Sequence, residues 1–384
     1  MKANQIKVLI AFLVPFLFQG CLPDFLDFSS DDTQSHALFE GEGPNPLDTN
    51  SIKDFVGEFQ QLRIYGAPFS QVNNGVLEVN RFHSEDFVKF NSNNFIGMNS
   101  DFLHYQTQSS AGTYIEFSSN SPQLKFEFNE INDGMGIDGV YTLLENGVEV
   151  YQSTKPVFEF TGNTSDEFKD YQLFLPFLVK VQLIKAQAAF GEIKKVPLKE
   201  KPIVIYIGDS NTQASTGFIS SSEVLWGRHL AHLRDTHYWN LAVSGSTINP
   251  YVLNSIQHIS IQDIFIAFGV NSFQLQKPIS IFKTQYKNVL ALLNEYSKES
   301  QIYCVTPIVN DFTNASHFGD RSDFIPLENY RMAIRDVCAS HSIIEGKELS
   351  NKEWLNTDKV HLDSDYHPIF AQKIFERYFQ NMSN

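Results

Sequence analysis

Ser210 lies directly after Gly208-Asp209 in VIYIGDSNTQAS, where an apolar run ends and a loop begins. A serine hydroxyl is a poor nucleophile until a base takes its proton, so its chemistry depends on a histidine elsewhere. Of eleven histidines, His361 follows Asp358 by three residues in NTDKVHLDSDYHPIFAQKIFERYF, just ahead of a C-terminal helical pattern. A short loop at that spacing can turn the carboxylate onto the imidazole, fix its tautomer and leave the other nitrogen for a serine. The chemistry would be acyl transfer through an acyl-serine. Its oxyanion needs donors: Gly245 in NLAVSGST can bring a bare N–H close to a ligand, and Asn271 in IAFGVNS carries an amide that can donate. Singly, each has a plainer explanation. Asp209 and Ser210 read as a helix cap or turn, Gly245 as a turn, Asn271 as a cap and Asp-x-x-His as a loop.

The elements needed to gather these residues are legible from periodicity. Apolar runs at 203–207, 240–243, 263–268 and 302–309 alternate with the helical stretches SSEVLWGRHLAHLRD and SIFKTQYKNVLALLNEYSKE. Strands alternating with helices imply a parallel sheet covered on both faces, with ligand-binding loops at the carboxyl ends of its strands. Ahead of KKVPLKEK the period is different. From about Phe55 to Phe190 short alternating runs are separated by turn residues. TYIEFSSNSPQLKFEF reads as two strands joined by Asn120-Ser121-Pro122, Asn146-Gly147 and Asn74-Gly75 mark hairpins, and YQLFLPFLVKVQLIKAQ breaks near Pro176. Such a pattern predicts a jelly-roll-like β-sandwich domain.

The length of 384 residues suits two domains, and 42% hydrophobic residues with 34 phenylalanines supply real cores. A net charge of -15 disfavours nucleic acid and, more weakly, strongly acidic substrates. At the N-terminus Lys2 and Lys7 precede an apolar run, Val8 to Phe18, too short to span a bilayer. It ends in Leu17-Phe18-Gln19-Gly20-Cys21, which is similar to the lipobox of bacterial lipoproteins, with Phe18 where leucine is commoner. The expected organisation is a signal peptide at 1–20, an acidic tether at 21–50 lipidated on Cys21, a sandwich at 51–195 and an α/β domain at 196–384. Leu22 after Cys21, in place of aspartate, favours the outer membrane. Cys304 and Cys338 remain; one disulfide and two buried free thiols are both open.

Taken together, the ordered Gly-Asp-Ser, glycine, Gly-x-Asn and Asp-x-x-His blocks resemble the SGNH (GDSL-like) hydrolase family over roughly Ile203 to Phe379. The resemblance implies a flavodoxin-like three-layer α/β/α domain with Ser210 as nucleophile, His361 as base and Asp358 orienting it. It also implies an oxyanion hole made of the Ser210 and Gly245 N–H groups and the Asn271 side chain, with no cofactor and no metal. Two departures stand out: Ser272 takes the place of an aspartate after Asn271, and NTQAS lacks the family's downstream glycine. The N-terminal half resembles the β-sandwich that precedes the hydrolase domain in some SGNH esterases, including family-2 carbohydrate esterases. Its Gly136-Ile137-Asp138-Gly139-Val140-Tyr141 departs from the usual Gly-x-Asp-Leu-Tyr.

Other histidines read as ordinary. His229 and His232 share a face of an amphipathic helix, and no further metal ligand accompanies them or His237. Asp235-Thr236-His237 follows the serine block instead of preceding it, unlike the Asp-x-His of SGNH-like O-acetyltransferases. Asp363 and His367 read as the start of the last helix, and EINDGMGID lacks the register of a calcium loop. The expectation is a lipid-anchored bacterial envelope esterase that removes a small acyl group, acetyl first, from a polysaccharide or oligosaccharide. The alternatives are a lipase, thioesterase or O-acetyltransferase on the same site, and a non-catalytic glycan-binding lipoprotein.

Overall fold

Turn chemistry organises the N-terminal part. Asn146 (φ 50°) and Gly147 (φ 83°) both take positive φ between β7 (Tyr141–Glu145) and β8 (Val148–Ser153), the mirror-image turn that suits strand twist. Asn74-Gly75 does the same between β3 (Gln71–Asn73) and β4 (Val76–Glu78). The computed structural model describes residues 52–83, 106–131, 139–162, 166–213, 221–311 and 324–380, apart from 56, 249 and 258. The leader, Cys21, the acidic tether and Gly136-Ile137-Asp138 lie outside the described residues.

Two antiparallel sheets form from these strands. One runs β1 (Ile52–Asp54), β2 (Arg63–Tyr65), β5 (Tyr114–Ser119), β10 (Lys169–Phe174), β7 and β8, with β12 (Ile193–Lys194) also on β5. The other runs β3, β4, β11 (Lys180–Ala188), β6 (Gln123–Ile131) and β9 (Val157–Thr161). Alternate residues of both sheets enter one core, Ile115, Phe117, Leu143 and Leu173 meeting Leu124, Phe126, Val181 and Leu183. Asn120-Ser121-Pro122 therefore carries the chain from one sheet to the other; β5 and β6 are not paired.

A parallel sheet follows, in the order β14 (His237–Asn240), β13 (Ile203–Gly208), β15 (Asp263–Ala267), β16 (Gln301–Val305) and β17 (Ser342–Ile344). Numbered from β13, that is 2-1-3-4-5, the flavodoxin-like order. Every residue of β13 is buried, because helices cover both faces. Ile203, Ile205 and Ile207 meet α4 (Ile279–Tyr296) and α5 (Leu327–Val337), whereas Val204 and Tyr206 meet α2 (Trp226–Leu233) and α7 (His367–Tyr378). The apolar run at 240–243 mostly lies beyond its strand, since β14 ends at Asn240. Residues 241–243 still dock on the neighbouring strand, Leu241 N–H donating to Tyr206 O (2.8 Å) and Val243 N–H to Gly208 O (3.0 Å). Strand β17 has only three residues, too few to stand out as an apolar run, and the four-residue α6 (Gly346–Leu349) follows it.

Cys304 on β16 and Cys338, just past α5, are joined in a disulfide with their Cα atoms 6.5 Å apart. The antiparallel and parallel parts belong to one compact unit, Pro46–Asn384. Phe82 sits in the core between the sheet and α4, and Ala111 and Phe177 sit in the core on the opposite face.

Candidate active site

Ser210 opens α1 (Ser210–Gln213) at the carboxyl end of β13 and is 5% exposed. Asp209 shapes this turn: its carboxylate accepts the Asn211 N–H (3.1 Å), and its carbonyl accepts the N–H groups of Thr212 and Gln213. The capping explanation thus holds for Asp209, and it leaves the Ser210 hydroxyl at the strand end. Burial raises the Asp209 carboxyl to about 6, against the pull of the Asn211 N–H, His361 and the Val270 N–H.

The histidine facing Ser210 comes from the far end of the chain. His361 Nε2 lies 2.7 Å from Ser210 Oγ, and Nδ1 lies 2.5 Å from Asp358 Oδ2. The other Asp358 oxygen accepts the N–H groups of Val360 (2.8 Å) and His361 (3.0 Å), so the loop folds around its own carboxylate. Burial alone would raise the Asp358 carboxyl, but the hydrogen bonds from His361 and Val360 hold it below the usual range. Neighbours pin the loop: Asn356 N–H donates to His361 O (2.9 Å), and Leu362, 1% exposed, is buried beside it. With Nδ1–H held by a carboxylate, Nε2 is the basic nitrogen facing the hydroxyl.

Gly245 lies in a four-residue turn closed by Ser246 N–H to Val243 O (3.1 Å). Its φ of 77° at the third position is what glycine supplies without strain. Asn271, in the first turn of α3 (Val270–Gln274), donates one amide hydrogen to Ser246 O (2.8 Å) and so grips the same turn. The second amide hydrogen has no partner among the described residues. Ser272 gives no such support, since its buried hydroxyl has no partner among the described residues. The backbone of the Gly245 turn holds Asn271 instead.

His229, His232, His237 and His367 make no hydrogen bond to Ser210, Asp358 or His361 among the described residues. His237 is buried on β14 and donates to Lys199 O (3.0 Å). Exposed Asp235 pairs with Lys201 (2.5 Å). Burial lowers His229 to about 4 and His367 to about 3. Asp363 caps a short turn before α7. Among the described residues no group of three histidine, cysteine or acidic side chains is placed to hold a metal.

Several positioning side chains carry no local sequence signal. His367 Nδ1 accepts the Trp226 N–H (3.2 Å), and Trp226 Nε1–H donates to Asn211 O (3.0 Å), hanging α2 on the serine turn. Arg81, Gln106, Ser109 and Gln213 form a buried cluster on the other side. A cavity of about 30 Å³ lies behind the turn, lined by Asp209, Asn211, Trp226, Leu362 and Phe370 among others; neither Ser210 nor His361 faces it.

No protein-family model and no curated protein sequence matches the chain. Solved structures do. A salicylyl-acyltransferase from a tetracycline biosynthetic pathway superposes with a TM-score of 0.69 at 16% identity, over 86% of this chain and 96% of that one. A protein assigned as a GDSL-like lipase from Bacteroides ovatus gives 0.63 at 14%, over 84% and 95%. A family-two carbohydrate esterase from Clostridium thermocellum, solved with cellohexaose, gives 0.58 at 14%, over 80% and 99%. At these identities the likeness shows the fold: the chain has the mixed α/β architecture of GDSL-like and carbohydrate esterase proteins.

Proposed function

We propose that the protein is a serine esterase that removes a small acyl group, acetyl first, from a carbohydrate hydroxyl. The alignment of Asp358, His361 and Ser210 at 2.5 and 2.7 Å carries this reading. His361 Nε2 takes the serine proton as Oγ bonds to the ester carbon, while Asp358 stabilises the imidazolium. The oxyanion is held by the N–H groups of Ser210 and Gly245 and by the Asn271 amide. Collapse breaks the ester bond, and His361 returns the proton to the departing sugar oxygen. Water, deprotonated by the same nitrogen, then adds to the acyl-serine and releases acetate and free Ser210. These steps call on no metal or cofactor.

The carbohydrate class is supported by neighbours described as family-two carbohydrate esterases, one of them solved with cellohexaose. A second reading, acyl transfer to an acceptor other than water, is favoured by the superposition on a salicylyl-acyltransferase. Turnover of p-nitrophenyl acetate, lost in Ser210→Ala, tests the esterase; faster release on adding an acceptor alcohol would point to the transferase. In this reading residues 51–195 are a jelly-roll-like module ahead of the catalytic residues 196–384.

We further propose that Cys21 is lipidated and tethers the protein to the bacterial envelope, by the outer membrane. The Cys304–Cys338 disulfide supports an oxidising compartment. Cys21→Ser should release the protein from the membrane fraction or stall its maturation; unchanged fractionation and migration would remove the anchor.

A further inference from the structure

Arg81 is fully buried, yet no carboxylate is among its hydrogen-bond partners within the described residues. Its five N–H groups reach five neutral acceptors. Nε donates to Ser109 O (2.7 Å), Nη1 to Asn240 O (2.7 Å) and Ala242 O (3.2 Å), and Nη2 to Gln106 O (2.8 Å) and Ser109 Oγ (3.2 Å). Desolvating a guanidinium for such partners is costly, and a fully connected polar network is the condition under which it persists. Burial lowers Arg81 to about 9, so it stays charged at neutral pH.

Gln213 continues the network toward the site. Its amide nitrogen donates to Ser109 Oγ (2.7 Å), Gln106 O (3.1 Å) and Gln106 Oε1 (3.1 Å), while its oxygen accepts the Ser244 N–H. Ser109 Oγ, bonded to Gln106 O (2.8 Å), Arg81 and Gln213, uses its donor and both acceptor positions. Asn240 closes the ring, its Nδ2 donating to Thr212 O (3.2 Å) and its Oδ1 accepting the Ala242 N–H (2.9 Å). One helical turn, α1, thus carries the nucleophile Ser210 at its start and the anchor of the Ser244-Gly245 turn at its end.

We propose that Gln213 and Arg81 are positioning residues for the ester reaction, locking the Gly245 N–H in register with the Ser210 N–H. The proposal rests on the esterase reading and extends it to residues outside the parallel sheet. Oxyanion donors lower a barrier only if they are fixed before charge develops. The turn Val243–Ser246 is a loop, and its rigidity comes from the groups that hold its backbone. Arg81, Gln106 and Ser109 come from the part of the chain that builds the antiparallel sheets. That part is therefore scaffold for the site and not a detachable binding module.

The test uses the full chain, p-nitrophenyl acetate for kcat and KM, and a fluorophosphonate to read the rate at which Ser210 is labelled. Gln213→Met should lower kcat by about 10- to 100-fold with KM within about twofold, and slow labelling in parallel, as expected for loss of transition-state donor geometry. Its effect should be less than multiplicative with Asn271→Ala, because both act on one turn. Arg81→Lys should retain more kcat than Arg81→Met. Ser109→Ala, which removes only a hydroxyl, decides the matter if Arg81→Met does not fold. A folded Gln213→Met with parental kcat and labelling rate, or a change confined to KM, overturns the proposal and leaves the esterase reading standing. Failure of the phosphonate to label Ser210 in the parent would remove that reading, and this proposal with it.

Discussion

His361 Nε2 stands 2.7 Å from the Ser210 hydroxyl across 151 residues of chain, while its Nδ1 stands 2.5 Å from Asp358, three residues away. The two contacts have different origins. The carboxylate–imidazole contact is local, made by a turn that folds on the Asp358 oxygens. The imidazole–hydroxyl contact exists because β13 and the loop before α7 end on the same side of the sheet.

Ser210→Ala and His361→Ala should each reduce ester turnover by about 10⁵- to 10⁶-fold, and the double variant should be little worse, because the groups act as a unit. Asp358→Asn should cost less, about 10⁴-fold. Steady-state kinetics on a chromogenic acetate ester checks all three, and near-parental rates in either alanine variant would dismiss the assignment.

Asn271→Ala should lose about 10²- to 10³-fold in kcat with little change in KM, as for a donor used mainly in the transition state. Because the same amide holds Ser246 O, part of the loss reflects the slackened turn. If KM alone moves, Asn271 is a ground-state substrate contact.

Asp209 gives a pH signature. Its folded value, about 6, lies above the ordinary carboxylate value, so the folded state binds this proton more tightly than the unfolded chain. Stability from this group is therefore greatest at low pH and declines as pH rises between about 4 and 6, by about 3 kcal/mol in all. Asp209→Asn removes that decline. Melting of parent and variant from pH 4 to 7 should show the variant gaining relative to the parent as pH rises; a constant difference would refute it.

Removing the Cys304–Cys338 bond by paired alanine substitution should cost about 3–4 kcal/mol, the loop entropy expected for a separation of 34 residues. Denaturant unfolding measures it. Ester turnover per folded molecule should be unchanged.

Chain-length profiling of p-nitrophenyl esters addresses the acyl group. An acetate-selective site buries one methyl, about 1 kcal/mol, and excludes longer chains by shape, so activity should fall steeply beyond acetate or propionate. A maximum at octanoate or longer would make the protein a lipase or thioesterase.

The sequence by itself determined the α/β class of the C-terminal part, the hairpin turns at Asn146-Gly147 and Asn74-Gly75, and the candidates Ser210, Gly245, Asn271, Asp358 and His361. These are legible because each depends on period, turn chemistry or order along the chain. Tertiary structure alone decided the rest. Strands β5 and β6 belong to different sheets, although a turn joins them directly. Cys304 and Cys338 pair because β16 and the end of α5 bring their Cα atoms to 6.5 Å. Ser246 O, not residue 272, braces Asn271. Arg81 meets Asn240 across 159 residues, and Gln213 meets Ser109 across 104. A lone arginine or glutamine has no periodic signature, and its role arises only where packed backbones strip it of water and leave it a few fixed acceptors.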